Sequence, residues 1–237
     1  MNALRVIDTG LQPPDRNIAL TATLAELRGR SEIPDTLRFQ RFTPCVLLGR
    51  TQDAAREVRL DVCREKGIAL ARRLTGGGAV YMDAGILSWQ LVADRRKFGA
   101  NLAAAGETIC IAVADALVRL GMPACFSPPN AIAIEGKKVG GAAGSFEGAI
   151  LVYEGTVLVD CDLDLIAEVL SPAYAHRLTN FAARGLAPSL AELQRAITVS
   201  ICNYCNFSVS SDRLSPRERT LAMARSAAKL DGELEPA

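Results

Sequence analysis

Histidine is almost missing from this chain: His176 is the one histidine in 237 residues. That removes Ser-His-Asp triads and most histidine-metal chemistry unless His176 itself serves, and a lone histidine here reads as a surface helix residue. Aromatic residues make up 5%, with a single tryptophan, so there is no series of stacking platforms for a nucleic-acid strand. Neither sign of charge dominates. Lys+Arg 27 against Asp+Glu 26 leaves +1, too little for a field that recruits nucleic acid or a membrane surface. No apolar run is long enough to span a bilayer, and Met1–Asp8 is too short and polar for a secretory core. A cytoplasmic location is the resulting expectation. Also missing are the G-x-x-x-x-G-K-S/T phosphate loop and a strand-linked G-x-G-x-x-G with its downstream acid.

Seven cysteines are scattered along the chain, an odd and unclustered set that argues against a disulfide framework. The one C-x-x-C, Cys202 to Cys205, has no second ligand pair, so neither a four-ligand zinc site nor a redox motif is expected. With 49% hydrophobic and 22% charged residues, the length fits one large domain, or one domain with a small appendage.

Hydrophobic periodicity predicts a strand over residues 4–9, then a helix from Asp15, as its cap, to about Arg28. Strands follow over Thr36–Phe42 and Cys45–Arg50, then a helix near Glu57–Lys66 and strands over Ile68–Arg73 and Ile86–Val92. The clearest helix is Leu102–Leu120, with Ile109, Val113, Leu117 and Leu120 on its apolar face and Gly121 as its stop. Two further strands are expected over Ala149–Val152 and Gly155–Val159. From Leu163 the chain reads helical, broken at Pro172 and Pro188, with Ser189 capping a helix over Leu190–Cys205. Ser211–Ala237 reads as a loosely docked helix and a frayed tail. This order lacks strict alternation of strand and helix. It indicates an α/β (α+β) fold, a mixed and largely antiparallel sheet with packed helices.

Two glycine-rich segments carry the chemistry. In Arg72-Arg73-Leu74-Thr75-Gly76-Gly77-Gly78-Ala79-Val80-Tyr81, two arginines run into three glycines and back into strand-like sequence. Glycine lets a backbone bend sharply or touch a ligand, and guanidinium suits phosphate or carboxylate. Alone, the segment reads equally as an anion site or as a hairpin with arginines at its mouth. The second segment, Asn130 to Gly144, reads as a strand, a turn at Glu135-Gly136 and a strand that opens on Lys137 and Lys138. Adjacent strand side chains point to opposite faces, so only one of these lysines can face a pocket. A solvated basic hairpin tip is the other reading.

In this order and spacing, Arg-Arg-x-Thr-Gly-Gly-Gly-Ala-Val-Tyr and Gly-Lys-Lys-Val-x-Gly resemble the lipoate–protein ligase A family of the biotin/lipoate ligase superfamily. The likeness extends upstream to Arg16-Asn17-Ile18-Ala19-Leu20, Leu37-Arg38-Phe39, Leu48-Gly49-Arg50 and Gln52. Downstream it reaches Glu154-Gly155-Thr156 and Asp162-Leu163. The resemblance implies a catalytic domain over 1–205 and a C-terminal helical extension and tail over 206–237.

It also implies a two-step reaction. Lipoate attacks the α-phosphate of ATP to give lipoyl-AMP, and a lysine of a lipoyl-domain acceptor protein then takes the acyl group. By resemblance, Lys138 is the catalytic residue. Arg73, Gly78, Ala79, Val80, Tyr81 and Lys138 would bind ATP, and Gly76, Gly77, Gly78 and Lys138 would bind lipoate. Mg²⁺ would accompany the phosphates with no dedicated protein ligand set. Trp89, Val80 and Ile150 are candidates for an apolar tunnel around the dithiolane tail. Arg38 and Arg50 would either line the pocket or brace the sheet, and Arg72 is expected to face outward or meet an acid.

The chain departs from the family at Met82, Ile86, Ala131, Gly140 and Glu154, where histidine, asparagine, aspartate, serine and histidine are usual. Its shortness also raises a separate accessory subunit as a partner. An ATP-independent octanoyl or lipoyl transferase using a thioester on Cys125 is the alternative, although Cys125 is expected as a buried core residue. A paralogue that binds lipoate or a lipoyl protein without adenylating is the third reading.

Overall fold

The computed structural model describes residues 2–170 and 178–232. The expectations for Pro172 and His176 lie outside the described residues. The chain runs β1 (Asn2–Gln12), α1 (Pro14–Gly29), β2 (Asp35–Phe42), β3 (Cys45–Leu48), α2 (Ala54–Glu57) and α3 (Leu60–Glu65). Then come β4 (Ala69–Arg72), β5 (Val80–Met82), β6 (Ile86–Asp94), α4 (Leu102–Val118), β7 (Cys125–Ser127) and β8 (Ala131–Ile134). It finishes with β9 (Lys137–Glu147), β10 (Ile150–Leu158), α5 (Leu163–Val169), α6 (Leu190–Cys205), β11 (Phe207–Ser211) and α7 (Pro216–Gly232).

An eight-stranded sheet has the order β11-β1-β2-β6-β10-β9-β8-β7, and a three-stranded sheet the order β4-β3-β5. In the large sheet β11, β1 and β2 are parallel and the remaining pairs antiparallel, so the fold class read from the sequence holds. Period-two alternation decides which face each residue takes. Leu37, Phe39, Leu87, Trp89, Leu91 and Tyr153 point to one face and meet Ile109, Val113 and Leu117 of α4 and Ile197 and Ile201 of α6. On the opposite face Val92, Ile150 and Val152 meet Leu20 and Leu24 of α1 and Ala222 of α7. The small sheet has its own core, in which Val46, Tyr81 and Ile86 pack with Ile18, Ile166 and Leu170. Among the described residues no helix is long and apolar enough to cross a membrane.

Several boundaries differ from the sequence reading for local reasons. α1 begins at Pro14, with Pro13 preceding it, because proline fits a first helical turn where its missing N–H is not needed. Asp15 sits inside that turn and accepts from the Ser226 hydroxyl rather than capping. The helix expected over Glu57–Lys66 is two short ones, α2 and α3. The two strands expected around Glu154 are one, β10, since Gly155 stays in the ladder opposite Trp89. Ser189 does cap α6, in a reciprocal capping box with Glu192. The C-terminal helix is firmly held where its side chains are described. Glu218 is buried and accepts from Arg5 at 2.6 Å, clamping α7 to β1.

Candidate functional site

A cavity of about 220 Å³ lies between the two sheets. One wall is the face of β6, β9 and β10, with Ser88, Glu154 and Thr156; the other is the glycine loop with Phe42, Leu47 and Met82. A second lobe of about 80 Å³ continues past Lys138, between Ala79, Val80 and Tyr81 on one side and Leu158, Ile166 and Leu178 on the other. Lys138 and Thr156 border both lobes.

Lys138 is paired with Ala133 and faces the cavity, whereas Lys137 is paired with Ile134 of the α4-side core and is exposed. The strand-face argument therefore separates the two lysines as expected. Although Lys138 is exposed as a residue, its ammonium reaches into the site. A Cβ added at Gly141 would stand 2.7 Å from Nζ, so glycine there leaves room for the lysine. Burial, and then the charge of Arg73, lower the Lys138 pKa from the usual lysine range.

The glycine loop is held from inside by arginine. Arg73 donates to the carbonyls of Leu47 at 2.8 Å, Gly76 at 2.6 Å and Gly78 at 2.8 Å, and to the Thr75 hydroxyl at 3.1 Å. A sharp loop leaves carbonyls outside any ladder, and guanidinium brings five donors to meet them. Gly77 takes φ +86°, a conformation side chains resist. Its carbonyl lies so close to Gly49 that a Cβ there would be 2.2 Å away. Arg72 donates to the carbonyls of Gly49 and Gln52, both at 2.8 Å. Arg72 is exposed, so the expectation that it faces outward holds, but it meets backbone carbonyls and no acid. Arg50 donates to Leu74 O at 2.6 Å and pairs with Glu147, so it braces the loop.

The large sheet contributes a polar block. Thr156 pairs with Ser88 and Ser88 with Gln40; Glu154 pairs with Gln90 and Gln90 with Arg38. Residues opposite one another on antiparallel strands share a face, so these six lie together under the glycine loop and α1. Thr75 donates to Glu154 Oε1 at 2.6 Å and Gln90 to Oε2 at 3.1 Å. Arg38 is fully buried and donates to Thr21 at 2.8 Å and to Asn17 O at 3.2 Å. Desolvation pushes its pKa down to about 9 against the opposing effect of Glu154. Its Nε and Nη1 have no hydrogen-bond partner among the described residues.

Among the expected site residues, Arg73, Gly77, Gly78, Ala79, Val80 and Lys138 converge on the cavity. Gly76 does not line it; its carbonyl is the one Arg73 holds. Tyr81 borders the second lobe but is buried in the small-sheet core. Burial and then Asp83 push its pKa up to about 12. Of the tunnel candidates only Val80 lines the cavity. Trp89 is on the α4 side of the sheet and Ile150 under α1, because both fall on the wrong parity or row. Cys125 is exposed, which corrects its placement in the core: β7 is the edge strand and leaves that face uncovered. Glu154, Gln90 and Thr75 were missed as a unit. The alternation in Leu87-Ser88-Trp89-Gln90-Leu91 was the available signal, but alternation alone does not say what covers the polar face.

Comparison with known proteins places the family and the fold. Residues 13–201 match the lipoyl protein ligase A/B catalytic domain family. The octanoyltransferase LipM of Brevibacillus brevis is 27% identical over 195 residues, 72% of this chain and 71% of that one. A solved lipoate-protein ligase A bound with ATP superposes with a TM-score of 0.82 at 28% identity, covering 95% of this chain and 94% of that one. The bi-partite lipoate protein ligase of Thermoplasma acidophilum, solved in a study with its E2 lipoyl domain, gives 0.82 at 27% identity, covering 96% and 93%.

Proposed function

Since this chain belongs to the lipoyl protein ligase A/B catalytic domain family of lipoate ligases and octanoyltransferases, we propose that it is an ATP-dependent lipoate–protein ligase. The observation that carries this reading is the two-lobed cavity with Lys138 at the junction. An adenylating ligase holds an acyl acid and a nucleotide end to end, carboxylate against α-phosphate. The first lobe, with Gly77, Gly78 and Glu154, takes the acyl chain. The second, with Ala79, Val80 and Tyr81, takes the nucleotide, which arrives as substrate together with Mg²⁺.

In the first step the lipoate carboxylate oxygen forms a bond to the α-phosphorus and pyrophosphate leaves. In the second, a lysine amine of a lipoyl-domain acceptor attacks the acyl carbonyl, loses a proton and displaces AMP. Lys138 stands where its ammonium can oppose charge on both the phosphoryl and carbonyl oxygens. Glycine backbone beside it lets the chain approach the ligand closely.

A second reading has its own observation. Cys125 is exposed on the same sheet face as Lys138, and an octanoyltransferase is among the relatives. A transferase would hold the acyl group as a thioester on Cys125 and need no nucleotide. Cys125 borders neither lobe, which favours the ligase. The deciding assay follows pyrophosphate from protein, MgATP and lipoate, with and without a lipoyl domain and an accessory subunit. Lipoate-dependent pyrophosphate supports the ligase. Acyl transfer from an octanoyl-carrier donor without pyrophosphate, abolished by Cys125→Ala, overturns it in favour of the transferase.

A further inference from the structure

Glu154 stands where the family resemblance leads one to expect histidine, and the ligase chemistry gives it no role. Its surroundings do. One carboxylate oxygen takes the Thr75 hydroxyl at 2.6 Å, the other takes the Gln90 amide at 3.1 Å, and Arg73 Nε lies 4.0 Å away. Thr75 is fully buried and also accepts from Arg73, whose other nitrogens hold Leu47, Gly76 and Gly78. In the same cross-strand row as Glu154, two strands away beyond Gln90, lies the buried cation Arg38. A continuous path therefore runs from β6 and β10 of the large sheet through Glu154, Thr75 and Arg73 into the glycine loop of the small sheet.

We propose that Glu154 is the positioning residue that keeps the glycine loop closed over the acyl lobe, with Arg38 and Arg73 as its balancing charges. Three features carry this. Glu154 and Thr75 form a direct bond between the two cavity walls. Arg73 converts the position of Thr75 into the positions of the Gly76 and Gly78 carbonyls. A carboxylate 4.0 Å from Arg73 Nε, with the buried Arg38 in the same row beyond Gln90, offsets charges that would otherwise be uncompensated in the interior. The role does not depend on whether the acyl donor is an adenylate or a carrier thioester.

The test compares Glu154→Ala, Glu154→Gln and Thr75→Val in the full chain. Glutamine keeps an acceptor for Thr75, and its amide N–H₂ can meet Gln90 Oε1, which has no partner among the described residues. The loop is read without turnover, by hydrogen exchange at the Arg50 amide, which donates to Thr75 O at 2.9 Å, and by tryptic cleavage after Arg73. Glu154→Ala should speed that exchange on the order of tenfold or more, with β6 amides unchanged. It should also raise the KM for the acyl substrate more than it lowers kcat. Thr75→Val should match it, the double variant should add little, and Glu154→Gln should recover most of the protection. Unchanged exchange at Arg50, equal acceleration throughout β6, or additive effects of the two single variants would each overturn the assignment. A failed pyrophosphate assay would leave these exchange readings untouched.

Discussion

Cys125 and Lys138 lie in one row of the large sheet. Cys125 pairs with Ala133 on β8 and Ala133 with Lys138 on β9, so both side chains leave the face that carries the cavity. Two strand spacings, about 10 Å, separate their backbones. Of the seven cysteines Cys125 alone is exposed, and burial pushes the thiol pKa of Cys45 and Cys205 up to about 12 and of Cys161 to about 11.

Iodoacetamide should therefore modify Cys125 ahead of every other cysteine, as mass spectrometry of timed digests would show. In a ligase, Cys125→Ala should hold lipoate-dependent pyrophosphate release within about twofold, the scale of a surface substitution. Loss of acyl transfer in that variant would move the chemistry from the phosphate to the thiol.

The two lysines of β9 should separate as their faces do. Lys138→Ala should lower kcat/KM by about a hundredfold or more, the scale of removing a donor aimed at developing charge. Lys137→Ala should leave it within about twofold, because that side chain is exposed on the other face. Steady-state kinetics with unchanged circular dichroism checks both. Equal losses would contradict the strand geometry.

How much of this was legible before folding depends on the kind of signal. Period and punctuation carried β1, β2, β6, β8, β9 and β10 of the large sheet, α4 and α6, but not the edge strands β7 and β11; Ile109, Val113 and Leu117 recur at helical spacing and Ser189 with Glu192 forms a local cap. Lys138 was legible because strand parity alone separates it from Lys137. Arg72 was not. Its partners are carbonyls of Gly49 and Gln52, distant in sequence, and a carbonyl leaves no mark in a side-chain pattern. The polar block was visible as alternation in β2 and β6, but alternation does not say what covers the polar face; α1 and the glycine loop are placed there by tertiary packing. Cys125 misled for the converse reason: apolar neighbours suggested a core, but β7 closes the sheet as an edge.

Two glycines offer a contrast between backbone and side-chain crowding. A Cβ at Gly49 would lie 2.2 Å from the Gly77 carbonyl, an atom fixed by the loop. Gly49→Ala should cost about 1–3 kcal/mol of stability, as overpacking does, and lower the melting temperature. At Gly141 the atoms met are Cε and Nζ of Lys138, at 2.6 and 2.7 Å, the free end of a flexible chain. Gly141→Ala should keep its melting temperature and lose turnover as Lys138 is displaced. A scanning calorimetry trace paired with an activity assay distinguishes them, and the reverse pattern would refute the placement of the lysine.

Proton linkage tests the same lysine without turnover. Burial, reinforced by Arg73, disfavours the charged form of Lys138 and lowers its pKa in the free protein. A phosphate group beside it favours the charged form and raises the pKa in the complex. In an adenylating ligase, between the two values the free protein would be deprotonated and the complex protonated, so ATP binding should take up a proton. Affinity should then be fully present below the free-protein pKa and weaken as pH rises through it. That decline should begin below the ordinary lysine value of about 10.4. Calorimetric titrations in buffers of different ionisation enthalpy measure the uptake directly. Lys138→Arg should move the uptake to higher pH while retaining charge, since guanidinium starts from a higher pKa than an ammonium, and Lys138→Met should abolish it with a loss of affinity. Undiminished uptake in Lys138→Met would assign the proton to another group and remove Lys138 from the phosphate.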